Sequence, residues 1–454
     1  MKAEMQRARL IPVSGIGSVQ EAEQRATSAL LAILTKVRDL SIELLSPMGA
    51  PRAQRAEVEA FIEVSIANSG RPIRPDGLLR VTYGKKSWSA LLEVKTGSNL
   101  LEADQINKYW DFARETGIDH VVTISNELSS DGLHPTPGLR VRANSRVGVS
   151  HLSWTEIIMS ANRIKKHKGI SDPEQAWLLD ELIRYLQHPK SGALQFEDMG
   201  AHWASIRDAA REGTLTRRSD GIEDVVDRWD QLLRYAAMQL SAEIGNDVEV
   251  IYGRGLTDAQ RRRSNQIDSL CTSGQMTGAL RIPDTAGDLQ LLADLRARRL
   301  SAFVDVHAPQ DRGARGRVSW LVGQIGEAPA DLVVECFAKN ARLSTSATLA
   351  ETREDRLAPL GEDRSEPHRF RLITRAEMGM GRKRGGRNSG FIDTVLDLVT
   401  DFYGSVVQQI TPWQRPAPKL TKESTPVEPD QKDEVVEVDT FSWQQPHPWT
   451  DIQR

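Results

Sequence analysis

Between Gln20 and Leu45 apolar residues recur at helical spacing, with Ala26, Leu30, Ile33, Val37, Leu40 and Leu44 on one stripe. The pattern predicts one amphipathic helix, ended by Pro47, Gly49 and Pro51. VEAFIEVSI (58–66) then alternates as a strand does, and NSGRP supplies a turn. The stretch RPDGLLRVTYGKKSWSALLEVKTG (74–97) reads as two strands closed through TYGKKSW. A helix over 101–117 and a buried strand, HVVTISN (120–126), follow. Beyond them lie a strand over 146–154 and the helical patterns TEIIMSANRIKKHK and DPEQAWLLDELIRYLQHP. The second of these opens at a Ser171/Asp172 cap with Pro173 in its first position.

Around 211–224 the apolar pattern lapses and charge rises, which marks a connection between domains. After it the pattern predicts a helix over 224–244 and a last helix over 390–410. Strands are predicted between them at SAFVDVH (301–307), RVSWLVGQI (317–325), ADLVVECFA (330–338) and FRLITRAEM (370–378). The expected organisation is an N-terminal arm (1–17), an α/β domain with a mixed sheet flanked by helices (18–212), a second α/β or α+β domain (222–411) and a disordered tail (412–454). The tail ends in the aromatic run FSWQQPHPW, which has the form of a short docking motif.

Charge excludes some classes of function. The 454 residues carry 59 basic and 62 acidic side chains, so no global basic field marks a nucleic-acid binder, and any basic surface is local. The best local cluster is Arg382, Lys383, Arg384 and Arg387 in GRKRGGR, ahead of RIKKHK and DAQRRRS. Two cysteines, Cys271 and Cys336, make neither a disulfide framework nor a cysteine-rich zinc site. No secretory h-region opens the sequence and no apolar run approaches bilayer length, so a soluble, cytoplasmic protein is expected, with no membrane partner.

Charge inside the 74–97 hairpin raises a chemical question. Side chains two apart share one face of a strand, so Glu93 and Lys95 project together while Val94 points to the buried side. The returning strand brings Asp76 alongside. Two carboxylates and an ammonium then converge, which suits a Mg²⁺ or Mn²⁺ ion that keeps some waters and takes phosphate oxygens. With Lys95 beside an attacking water, the set describes phosphodiester hydrolysis.

These residues, Arg-Pro-Asp76 and then Glu93-Val94-Lys95 on the next strand, resemble the PD-(D/E)xK, or restriction-endonuclease-like, nuclease superfamily. Gln105 and Tyr109, one helical turn apart, are similar to the QxxxY element of the branch that holds RecB-type nuclease domains. The resemblance covers about Ser18 to Ala161 and implies the restriction-endonuclease-like fold. It implies a metal held by Asp76, Glu93, the Val94 carbonyl and Glu23, with Lys95 near the water and Gln105 and Tyr109 by the substrate backbone. Glu23 continues the stripe of Leu30, Val37 and Leu44 at intervals of seven, but Glu57, Glu59 and Glu63 also precede the hairpin, and Glu63 competes for the role.

The expected protein is therefore a metal-dependent nuclease, with DNA preferred to RNA, in a setting such as genome defence, restriction or repair. A second copy or a partner protein is expected at the C-terminal domain or the tail. The rival reading is a catalytically silent nuclease-like module that binds nucleic acid or protein. Trp88, Trp110 and Tyr109 are expected to pack rather than stack on bases, and His151 to make a local strand-end hydrogen bond. GIGSVQ lacks the third glycine of a dinucleotide loop, no GxxxxGK[ST] loop is present, and the nine histidines show no zinc spacing.

Overall fold

The computed structural model describes residues 10–12, 15–68, 71–129, 134–141, 145–253, 259–385 and 390–414. The predicted tail from 415 onward, its aromatic end and Arg387 lie outside the described residues. The described residues belong to one compact unit, which holds two separate large sheets.

The first half opens with helices α1 (Val19–Lys36) and α2 (Arg38–Leu45). Strand β1 (Glu57–Ile62) follows, then a small ribbon of β2 (Ile66–Asn68) and β3 (Arg71–Ile73). The charged hairpin is β4 (Gly77–Tyr83) and β5 (Lys86–Val94). After it come α3 (Ala103–Thr116), β6 (His120–Ser125), β7 (Gly148–Ser153), α4 (Trp154–Arg163), α5 (Pro173–Leu186) and α6 (Trp203–Glu212). The five-stranded sheet runs β1-β4-β5-β6-β7, antiparallel through β5 and parallel from β5 to β7. It is the mixed sheet that the sequence predicts. On one face Leu92 and Val94 pack with α1, α2, α4 and α5; on the other Leu91 packs with Tyr109, Trp110 and Phe112 of α3.

The second half contains α7 (Ile222–Ile244), β8 (Glu249–Val250), α8 (Ala259–Ser273), β9 (Gln275–Arg281), β10 (Leu289–Asp294) and β11 (Arg299–His307). It continues with α9 (Ala314–Gln324), β12 (Val333–Ala338), β13 (Thr345–Thr348), α10 (Leu349–Glu354), β14 (Pro367–Glu377) and α11 (Phe391–Ser405). Its seven strands lie in the order β13-β12-β14-β11-β10-β9-β8, and all the pairings are antiparallel. Among the described residues no helix is long and apolar enough to cross a membrane.

Three predicted elements differ. The helix expected over 20–45 breaks at Val37 (φ −90°, ψ 89°), although its stripe stays buried. The Arg38 guanidinium, at the first position of α2, donates to Pro51 O and Ala53 O, tertiary bonds that tie the start of α2 to the loop before β1. The strand expected over 58–66 stops at Ile62, where its partner β4 begins at Gly77, and Glu63 turns the chain at φ 52°. The strand expected over 317–325 is helix α9. Val318, Leu321, Val322 and Ile325 stand at helical spacing and are all buried, so the alternation there misleads.

Candidate active site

The hairpin closes in a two-residue turn with Gly84 at φ 58°, a left-handed conformation that favours glycine. Its register pairs Gly77 with Leu92, so Asp76 enters the sheet beside Glu93 and Val94. The Val94 N–H donates to Asp76 Oδ2 at 2.7 Å. Lys95 Nζ lies 2.6 Å from Glu93 Oε1 and 3.6 Å from Glu23 Oε1. Glu23 reaches the group from the first turns of α1, in the layer on the other side of the sheet. Thus the structure brings Asp76, Glu93 and Lys95 together, with Glu23, the acid that the resemblance implies, beside Lys95.

Around them the backbone is fixed. The Lys95 N–H donates to Ile124 O at 2.7 Å, and Lys95 O accepts the Trp154 indole N–H at 2.8 Å. Tyr109 Oη donates to Arg74 O at 2.9 Å and accepts from Gln105 Nε2 at 3.0 Å. Asn126 ties Gly97 O to Gly192 O, at 2.9 and 2.8 Å, and so pins the loop after Lys95. Trp154 and Asn126 carry no sequence signal for this work, because each acts through hydrogen bonds to residues far along the chain.

Burial dominates the electrostatics. The Glu93 side chain is 1% exposed, and desolvation, with Asp76 next to it, pushes its carboxyl up to about 7 against the pull of Lys95. Burial also raises Asp76, which the Val94 N–H opposes, and raises Glu23, which Lys95 opposes. Lys95 is raised by its bond to Glu93 and the neighbouring acids, although burial acts the other way. One oxygen each of Glu23 and Glu93 is buried without a hydrogen-bond partner.

Those two orphaned oxygens, with Asp76 beside Glu93, are the donor type that a hard divalent cation takes, so the residues fit such an ion. Among the described residues no three His, Cys, Asp or Glu side chains already stand as a metal-ligand cluster. The Lys95 ammonium stands between Glu93 and Glu23. Val94, whose carbonyl completes the predicted set, ends β5 with its side chain in the core.

The chain matches no family model, no curated protein and no solved structure.

Of the competing acids, Glu57 and Glu63 are exposed and Glu59 pairs with Arg80 across the sheet. Trp88 and Trp110 are buried and donate to Met48 O and Val147 O, as packing residues do. His151 bonds Thr123 and Glu127 O. The basic cluster is tied inward: Arg382 pairs with Asp198 at 3.0 Å, and Arg384 donates to Tyr235 Oη at 2.8 Å beside Asp393. Lys383 is exposed. In RIKKHK, Arg163, Lys165, Lys166 and Lys168 each meet a carboxylate.

Proposed function

We propose that the chain is a metal-dependent nuclease that hydrolyses phosphodiester bonds, in DNA before RNA, with a first half of the restriction-endonuclease-like type. The observation that carries this reading is the convergence of Asp76, Glu93, Glu23 and Lys95, with an unpartnered buried oxygen on each of the two glutamates. The order of a helix, an antiparallel hairpin, a helix and two parallel strands supports the fold assignment.

A Mg²⁺ or Mn²⁺ ion at these carboxylates would polarise the phosphoryl group and stabilise the leaving oxygen. Asp76, Glu93 and Glu23 would hold it, with the Val94 carbonyl. Lys95 Nζ, released from Glu93, would hold the attacking water and offset phosphate charge. Gln105 and Tyr109 keep Asp76 in register through Arg74 O, because an error of about 1 Å at such a site costs on the order of 10² in rate.

A second reading, a silent nucleic-acid or protein-binding module, draws on the Lys95–Glu93 pair, which already neutralises one carboxylate. Incubation of the purified full chain with linear, circular and single-stranded DNA decides between them. Cleavage with Mg²⁺ or Mn²⁺ that chelator abolishes, and that Asp76→Asn lacks, is the expected outcome. No cleavage with any divalent ion would leave the silent module.

A further inference from the structure

A cavity of about 240 Å³ lies between β7, α4 and α7, lined by His134, Ser150, His151, Glu156, Arg234 and Met238 among others. It shares a sheet face with the carboxylate site, since Glu93, Thr123 and His151 are successive partners across β5, β6 and β7. No role described so far uses it.

Its histidines are walls. His151 Nε2 faces Glu127 O at 2.9 Å, and a carbonyl only accepts, so this nitrogen carries the proton and Nδ1 accepts the Thr123 hydroxyl. Thr123 Oγ1 then accepts from His134 Nε2 at 2.7 Å, while His134 Nδ1 accepts the Thr136 N–H. Every ring nitrogen is engaged, and burial holds both rings neutral, down to about 4. Ser150 bonds His120, and Ser153 Oγ accepts the Glu156 N–H.

Two charged groups remain. The half-buried Arg234 guanidinium makes one hydrogen bond, to Ser129 O; burial raises the half-buried Glu156 carboxyl, and the nearby Arg234 charge opposes that rise. Among the described residues the two form no direct ion pair with each other or with another side chain. A sheltered charge left without a partner is costly, so a gap between two opposite charges suits a molecule that supplies both complements. Pockets for drug-sized ligands run to about 300–1,000 Å³, so this one is sized for something smaller. Leu128, Val149 and Met238 give it an apolar wall.

We propose that this cavity binds a compact zwitterion, a free α-amino acid, with its carboxylate on Arg234 and its ammonium on Glu156. The inference does not rest on the nuclease reading. The test is thermal melting of the full chain with each of the twenty L-amino acids at about 10 mM, followed by calorimetry on those that act. At least one should raise the melting temperature by roughly 1 °C or more. Its affinity should fall tenfold or more in Glu156→Gln and in Arg234→Met, and for the analogue that lacks the amino group. No shift with any amino acid, affinity kept in both variants, or equal binding of the deaminated analogue would overturn the proposal. Should Arg234→Met fail to fold, the near-isosteric Glu156→Gln and the analogue still decide.

Discussion

Glu93 sits where an ionised carboxylate is costly: it is buried, beside Asp76, with one oxygen unpartnered. Its folded pKa, about 7, stands above the ordinary 4.5, so folding favours the protonated acid. Its contribution is most favourable below about pH 4.5, declines as pH rises to about 7, and stays low above that. Asp76 and Glu23, both raised, act in the same direction. His120, His134 and His151, lowered to about 4, act oppositely: their stabilisation is present above pH 6.5 and is lost toward pH 4. Glu93→Gln isolates the glutamate because the histidines are common to both proteins. Denaturant unfolding of metal-free protein at pH 5 and pH 8 should show the variant gaining on wild type at pH 8 by at most about 3 kcal/mol. Equal pH dependence in the two would contradict the burial of this charge. Glu93 and Lys95 were legible in the sequence because strand alternation fixes which side chains share a face, and Asp76 because the hairpin returns it alongside them. Trp154 and Asn126 were not, since what makes them matter is a contact made 59 and 29 residues away.

At the scale of elements, the hairpin was legible for the same reason and the helix at 314–324 was not. A short run of Val, Leu and Ile satisfies both periods, and only its packing chooses between them. The start of β4 shows how closely an element fixes the site. A Cβ on Gly77 would lie 2.7 Å from Leu31 Cδ1 and 3.2 Å from Phe61 O, between α1 and β1. Leu31 is buried and the carbonyl belongs to the sheet, so neither yields freely. Gly77→Ala should therefore cost about 1–3 kcal/mol, the scale of overpacking a filled core. Because Asp76 is the next residue, its bond to the Val94 N–H should loosen too. Urea unfolding checks the first effect. A variant as stable as wild type within a few tenths of a kcal/mol would show that the hairpin has slack there.

For the whole molecule, the two halves meet through specific contacts. Arg163 bridges Glu43 of α2 and Asp247 beyond α7, Lys166 pairs with Glu243, and His167 Nε2 faces Ala242 O at 3.1 Å. The charge run RIKKHK is thus a joint between the halves, where the sequence offered only a candidate phosphate contact. Composition could not reveal this, because a lysine paired across a joint and one facing solvent look alike until the chain is folded. What the sequence placed best is the meeting of Asp76, Glu93 and Lys95 at one sheet end, and that is where the functional reading stands or falls. The most direct test is calorimetric titration of the full chain with Mn²⁺, beside Glu93→Gln and Asp76→Asn. Saturable binding in wild type that either substitution weakens tenfold or more is the expected result. No binding by folded wild-type protein, or binding that both variants keep, would contradict a metal centre built on Asp76 and Glu93.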